Sequence, residues 1–468
     1  MTLAFLFCGI VLAVLLQGEG SRLDGGRKGV VPVQLLDSGA ELMLRPIPGA
    51  KGMGAFLFMR TGYKDDPKGM EGLAHLVEHL SMTGGSPERK GGWRIEKWMR
   101  QRPMGSNAMT RENWTVYFSM GKRENILSDL RFFTRIAEAK VGFTQLDLAR
   151  ELPRISREIS NMTLGSPGGF LMWKQRALLD PLERMGIGRL KDVRQIQLED
   201  CEAFRDRHYR PERALFVLVG DLRPEEDMAR LNRWLGKNKA EGERGAVPGP
   251  RTRGTGEKEA PGGSASKKVA KRPRPFVAKH KAVGAAFLSL AFRAPPPDSP
   301  QAPAFTMAAF YLVRKAQADF RPRGREAQAF FQPGQFPFLE GPSLCFLNRR
   351  AKDGESLEAL RTEVRNWLRR RQKDRLQSPT LQFLMRGMSG LFWPSPIDTR
   401  KRRFLARNTR SLYTLGLSTG ALYLNGFPPD FFARLQKLRP KEVQAALARF
   451  FDPSQALEAA LIPETRRK

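Results

Sequence analysis

A short pattern occurs twice in this chain, and it sets the scale of anything the chain can fold into. Tyr209-Arg210-Pro211 followed by Ala214-Leu215 returns as Phe451-Asp452-Pro453 followed by Ala456-Leu457. In each copy a helical stretch leads to the aromatic residue and an apolar strand follows the proline. A repeat this far apart predicts related units in tandem, and 468 residues are enough to give each unit a sizeable core. We read 27–236 as the first unit and 282–468 as the second. Between them, 237–281 is rich in Gly, Pro, Ala and Ser, with Lys and Arg well in excess of Glu, and reads as a basic flexible linker.

Each unit mixes strand and helix signals. In the first, 31–36, 41–44, 54–60 and 115–119 read as strands. Residues 92–101 read as a helix, and 125–139 place Ile126, Leu130, Phe133 and Ala137 at helical spacing. In the second, 285–292 and 343–347 read as strands, and 302–320 and 355–371 as helices.

Chemistry concentrates in Gly72-Leu73-Ala74-His75-Leu76-Val77-Glu78-His79-Leu80, which holds two of the chain's four histidines. On a helix His75 and His79 lie one turn apart on one face, with Glu78 on the same side. Leu73, Leu76, Val77 and Leu80 cover the rest, as a buried helix requires. Two imidazoles at i and i+4 can grip one zinc ion and leave positions for a third ligand and a water, and Glu78 is placed to take a proton from that water. The order H-x-x-E-H is the inverzincin arrangement. A lone pair of histidines on an amphipathic helix has an ordinary structural reading, so the third ligand matters.

That ligand is expected within 145–162. Glu151 and Glu158 are seven residues apart and return to nearly the same helical face. By themselves, two such glutamates also fit a solvated surface. Pro153 falls between them, and a helix that starts near Leu152 would keep it in a first turn.

Taken together, these segments resemble the insulinase/pitrilysin family of zinc peptidases. The resemblance rests on Gly72 to His79, on Ser106-Asn107-Ala108 with Thr110, on Thr115-Val116-Tyr117, and on Glu151 followed by Glu158. Gly186-Ile187-Gly188, Leu198 to His208 and the strand Ala214 to Asp221 match later parts of the same pattern. The resemblance implies an α+β fold of two tandem related domains. Each is a mostly antiparallel sheet with helices packed on one side, and together they form one half of a clamshell. It implies one zinc per chain held by His75, His79 and Glu158, with Glu78 as general base and Glu151 behind the ligands, helping to hold the site. It implies that Asn107 and Ala108 belong to an edge strand on which a peptide backbone is laid by β-augmentation.

The family's Arg and Tyr, which bind substrate from the opposite half, have no clear match around Arg325 to Leu347, where Phe330 and Phe331 stand near the expected Tyr. A two-domain chain is half of the implied clamshell, so the resemblance implies a homodimer or, given this departure, a heterodimer with a related subunit that brings the Arg and Tyr. Of the other histidines, His208 reads as structural, and His280, in the linker, is not expected to be a ligand.

Residues 3–16 form an uncharged apolar run followed by Gln17-Gly18-Glu19-Gly20-Ser21, a signal-peptide pattern with cleavage after Gly20. No Lys or Arg precedes the run, so an uncleaved segment that associates with the membrane is the other reading of 1–20. Either one places the chain outside a bacterial cytoplasm, in the periplasm or envelope. Cleavage would leave Cys201 and Cys345, too few for a disulfide framework. The net charge of +32 is spread along the chain without a nucleic-acid-binding signature, and reads as solvated surface with no specific nucleic acid partner. Two readings compete with the peptidase: a scaffold or partner subunit of a peptidase-like complex, and a basic protein binding anionic surfaces.

Overall fold

The structure, a computed structural model, describes residues 33–47, 49–85, 105–165, 167–177, 186–235, 275–281, 283–320, 344–352, 354–392, 409–428 and 430–464. The apolar run at 3–16, the helix expected at 92–101, most of the linker, and 325–343 with Phe330 and Phe331 lie outside them.

The first half runs β1 (Val33–Leu35), β2 (Glu41–Pro46), β3 (Met53–Met59), α1 (Leu73–Thr83), β4 (Ser106–Thr110), β5 (Thr115–Gly121), α2 (Arg123–Ala137), α3 (Gln145–Leu164), α4 (Pro167–Ala177), α5 (Leu190–Val193), α6 (Leu198–His208), β6 (Ala214–Gly220) and α7 (Pro224–Leu235). The second runs β7 (Phe276–His280), β8 (Phe287–Arg293), α8 (Ala302–Asp319), β9 (Leu344–Arg350), α9 (Leu357–Gln372), α10 (Ser378–Phe392), α11 (Thr409–Leu424), α12 (Phe431–Gln436), α13 (Pro440–Phe450) and β10 (Leu457–Pro463).

The first sheet has the order β1-β2-β6-β3-β5-β4 and the second β7-β10-β8-β9. In the first, β2 and β6 are parallel while β6, β3 and β5 pair antiparallel in turn. In the second, β7 and β10 are parallel while β10, β8 and β9 pair antiparallel. One mixed pattern is thus built twice, and the fold is α+β with two mostly antiparallel sheets. Tyr209 and Phe451 stand at equivalent places, each the residue that ends the helix before the closing strand, α6 before β6 and α13 before β10.

The central strands are buried on both faces, so they read as continuous apolar runs rather than as alternation. On β3, Ala55, Leu57 and Met59 join a core with α1, α2 and α6, while Phe56 and Phe58 point the other way. That other face is covered by α11, which crosses from the second half and sets Leu412, Leu415 and Ala421 against Phe56, Phe58 and Val217. The approach is close because α11 carries glycines there: a Cβ on Gly416 would lie 2.1 Å from the Phe56 ring, and one on Gly420 would lie 2.2 Å from the Phe58 ring.

The exchange is reciprocal. Helix α4 of the first half lies on β8 and β10 of the second sheet. There Gln175, fully buried, donates to the carbonyls of Ser289 and Leu457 at 3.1 and 2.8 Å and accepts from Ser289 Oγ at 2.7 Å. Each half therefore lends one helix to the outer face of the other's sheet, in addition to the helices on its own side.

Two sequence boundaries change. The linker, expected to run to 281, gives way to β7 at Phe276. Its His280 is a buried strand residue whose Nε2 meets the Thr163 carbonyl at 2.5 Å, joining the end of α3 to the second sheet. Helix α3 begins at Gln145 rather than near Leu152, so Pro153 lies inside it. Pro153 and Ala149 are both exposed, so the Ala149 carbonyl left without its intrahelical partner faces water, which lessens the cost of the proline.

Candidate metal centre

Helix α1 is fixed at its start by a residue that the sequence motif does not include. Asp66, buried, accepts from the backbone N–H groups of Gly72 and Ala74, both at 2.8 Å, and so satisfies two donors of the first turn. Gly72 enters the helix in the left-handed region, at φ +105, and a Cβ there would lie 3.0 Å from the Cα of Gly188. The loop carrying Gly188 thus closes directly over the head of the helix.

From that support α1 directs His75, Glu78 and His79 to one side. Their ligand atoms all lie within 4.8 Å of one another. The two rings stand edge to face with centroids 4.9 Å apart. Helix α3 packs against α1 and brings Glu158 in, with one of its oxygens 3.6 Å from Nε2 of His75 and 3.6 Å from Nε2 of His79. Donor atoms around a tetrahedral zinc with bonds of about 2.0–2.1 Å are separated by about 3.4 Å, so both edges have a suitable size.

Two turns earlier on the same helix, Glu151 reaches the opposite nitrogen of His79. Its Oε2 lies 3.0 Å from Nδ1, and Arg154 bonds its other oxygen at 2.6 Å. A carboxylate at Nδ1 favours the tautomer protonated there and leaves the Nε2 lone pair facing Glu158. Two glutamates on one helical face thus have different surroundings: Glu151 is buried behind the ring, and Glu158 is partly open to solvent.

The charges of this cluster suit a cation. Burial first, and then the charge on His79, hold His75 below the ordinary imidazole range. Burial also opposes a charge on His79, but the hydrogen bond to Glu151 and the nearby carboxylates of Glu158 and Glu78 outweigh it and raise that ring. A proton on His79 therefore stands in for positive charge that the carboxylates favour. Burial pushes the Glu78 carboxyl above the ordinary carboxylate range, with His79 and Thr110 pulling in the other direction. Thr110 donates to Glu78 Oε2 at 2.6 Å and fixes its orientation, a role that its place in the sequence pattern does not reveal.

Asn107 and Ala108 lie on β4, the terminal strand of the first sheet, beside α1. Met120 N–H donates to the Gly105 carbonyl and Arg111 N–H to that of Trp114, so the odd positions of this strand carry the ladder bonds. The even positions, Ser106, Ala108 and Thr110, then turn their backbone groups to the open edge. No strand pairs with that edge among the described residues. The Ala108 N–H is met there by Oδ1 of Asn107 at 2.9 Å.

These features define a peptidase-type fold with a histidine- and carboxylate-lined centre beside an open strand edge, and comparison with known proteins agrees. The family described as "Peptidase M16 inactive domain" matches residues 195–376. The zinc protease PqqE of Helicobacter pylori is 23% identical over 195 residues, covering 41% of this chain and 43% of that protein. The chain spans less than half the length of the curated relatives it matches. Among solved structures, a protease from Helicobacter pylori superposes with a TM-score of 0.70 at 18% identity, covering 93% of this chain and 100% of the other. The periplasmic protease PqqL of Escherichia coli gives 0.63 at 17% identity, covering 95% of this chain and 48% of that one. These likenesses support an insulinase/pitrilysin-type chain, with the fold of the M16 peptidases.

Proposed function

We propose that the chain is a zinc-dependent endopeptidase, or the metal-bearing subunit of one. The observation that carries this reading is the convergence of His75, His79 and Glu158 on one point, with Glu78 beside them. Nitrogen and carboxylate donors in a set of three suit a catalytic zinc with an open position. When bound, zinc would polarise a peptide carbonyl and lower the pKa of a water towards about 7.

The chain's own residues then have definite tasks. Glu78, steadied by Thr110, takes the water's proton and returns it to the leaving amine. Glu151 keeps His79 in the tautomer and orientation a ligand needs. The outward backbone groups of Ala108 and its neighbours take an extended peptide as an added strand, once Asn107 Oδ1 gives up the Ala108 N–H. Main-chain bonding of this kind places little demand on substrate sequence, so unfolded segments and peptides are the substrate class.

The second half has no histidine after His280, so one metal per chain is the stoichiometry. Because the chain corresponds to 48% of the longer Escherichia coli protein, a complete chamber would need two such halves, as a homodimer or with a related subunit that brings an Arg and a Tyr. A periplasmic or envelope location follows from the reading of residues 1–20 and is consistent with that periplasmic relative. The test is metal analysis of the purified chain. One zinc per chain, lost in Glu158→Ala and in His75→Ala with folding intact, supports the site; zinc retained by both variants refutes it.

A further inference from the structure

Helix α3 has a second face that the proposed zinc chemistry does not use. Ser156 and Ser160 fall about 160–200° around the helix from Glu158, on its far side. There α3 and α5 border an open cleft of about 530 Å³, lined by Leu152, Pro153, Ser156, Arg157, Ser160 and Arg194.

The lining has a definite chemical character. Arg157 comes from α3, and Arg194 follows α5 on the other wall. Neither guanidinium has an ion-pair partner among the described residues, whereas Arg154, one position from the cleft, is bonded to Glu151. The Ser160 hydroxyl is spent on the Ser156 carbonyl at 2.8 Å, so Ser156 Oγ is the small donor of the lining. Leu152 and Pro153 supply an apolar wall. Two planar cations with one hydroxyl group suit a tetrahedral oxyanion, since guanidinium offers paired donors in the geometry that phosphate accepts.

We propose that this cleft binds an organic phosphate, with the phosphate between Arg157 and Arg194 and the organic part against Leu152 and Pro153. The site lies on the opposite side of α3 from Glu151 and Glu158, so it is separate from the substrate edge at β4. It does not depend on the peptidase reading, because binding is measured without turnover.

The probe is phenyl phosphate, titrated calorimetrically into the full purified chain, with inorganic phosphate and phenol alongside. Saturable one-to-one binding of phenyl phosphate is expected, tighter than that of either fragment. It should weaken about tenfold in Arg157→Ala and likewise in Arg194→Ala, the loss of one charged hydrogen-bonding partner. Arg150→Ala, on the same helix outside the cleft, should leave it unchanged. Absence of saturable binding, or equal binding by wild type and both cleft variants, overturns the proposal. Phenyl phosphate binding no more tightly than inorganic phosphate overturns the organic half of it.

Discussion

Replacing Glu151 separates a residue that holds a ligand from a ligand. Its carboxylate is 2% exposed and lies 3.0 Å from Nδ1 of His79, the nitrogen that faces away from Glu158. Glu151→Gln keeps an acceptor for the Nδ1 proton and loses the charge. Glu151→Ala removes the acceptor and leaves the His79 ring free to turn. Loss of such a partner typically costs 10- to 100-fold in metal affinity, about 1.4–2.7 kcal/mol. The Arg154 contact adds little, because that arginine is 44% exposed and its pairing is screened. We expect zinc to bind about tenfold more weakly in the Gln variant and about 100-fold more weakly in the Ala variant. Competition against a chromophoric chelator of known affinity measures both. Affinity unchanged in the Ala variant would refute the orienting role. Complete loss of zinc, as in a His79→Ala control, would make Glu151 a ligand and overturn the assignment of tasks along α3.

Three further outcomes follow from other parts of the molecule. Asp66→Ala leaves two backbone donors at the head of α1 unmet and should cost about 2–3 kcal/mol in urea unfolding, with weaker zinc binding because both histidines ride on that helix. Gly420→Val drives side-chain atoms into the Phe58 ring and should destabilise by about 1–3 kcal/mol, seen as a lower Tm; an unchanged Tm would mean that α11 does not pack on the first sheet as described. His208, buried beside Phe204, is lowered to about 4, chiefly by burial. Its unfolded form binds a proton near pH 6.5, so its contribution is present above that pH and is lost as the pH falls towards 4. His208→Leu should flatten the loss of unfolding free energy between pH 6.5 and 4.

Much of the centre is legible in the sequence because its residues are close in the chain. His75, Glu78 and His79 need only helical geometry to share a face, and Glu151 and Glu158 need only a seven-residue return. What periodicity cannot supply is the contact between α1 and α3, and with it the division of labour between the two glutamates. Asp66 escapes notice although an acidic residue shortly before an apolar helix is a capping signal; the intervening turn hides it from a search for a cap directly before the first helical residue. The repeat at Tyr209 and Phe451 points to two related units. The reciprocal covering of the sheets by α4 and α11 is not visible, because it depends on contacts between residues hundreds of positions apart, such as Gln175 with Leu457. His280 reads as linker because a strand of five residues next to a basic Gly- and Pro-rich stretch carries too little pattern to stand out. Pro153 suggests a helix start at Leu152, whereas packing of α3 against α1 and α4 outweighs one lost hydrogen bond.

The most direct measurement is hydrolysis of a long, unstructured, internally quenched peptide by the purified chain, with Glu78→Gln beside it and zinc measured in both. The account predicts one zinc per chain in each protein, cleavage by the wild type, alone or with a related Arg- and Tyr-bearing subunit, and loss of cleavage in the variant. Cleavage that survives in a zinc-loaded Glu78→Gln protein, or a folded wild-type chain that takes up no zinc, would contradict it.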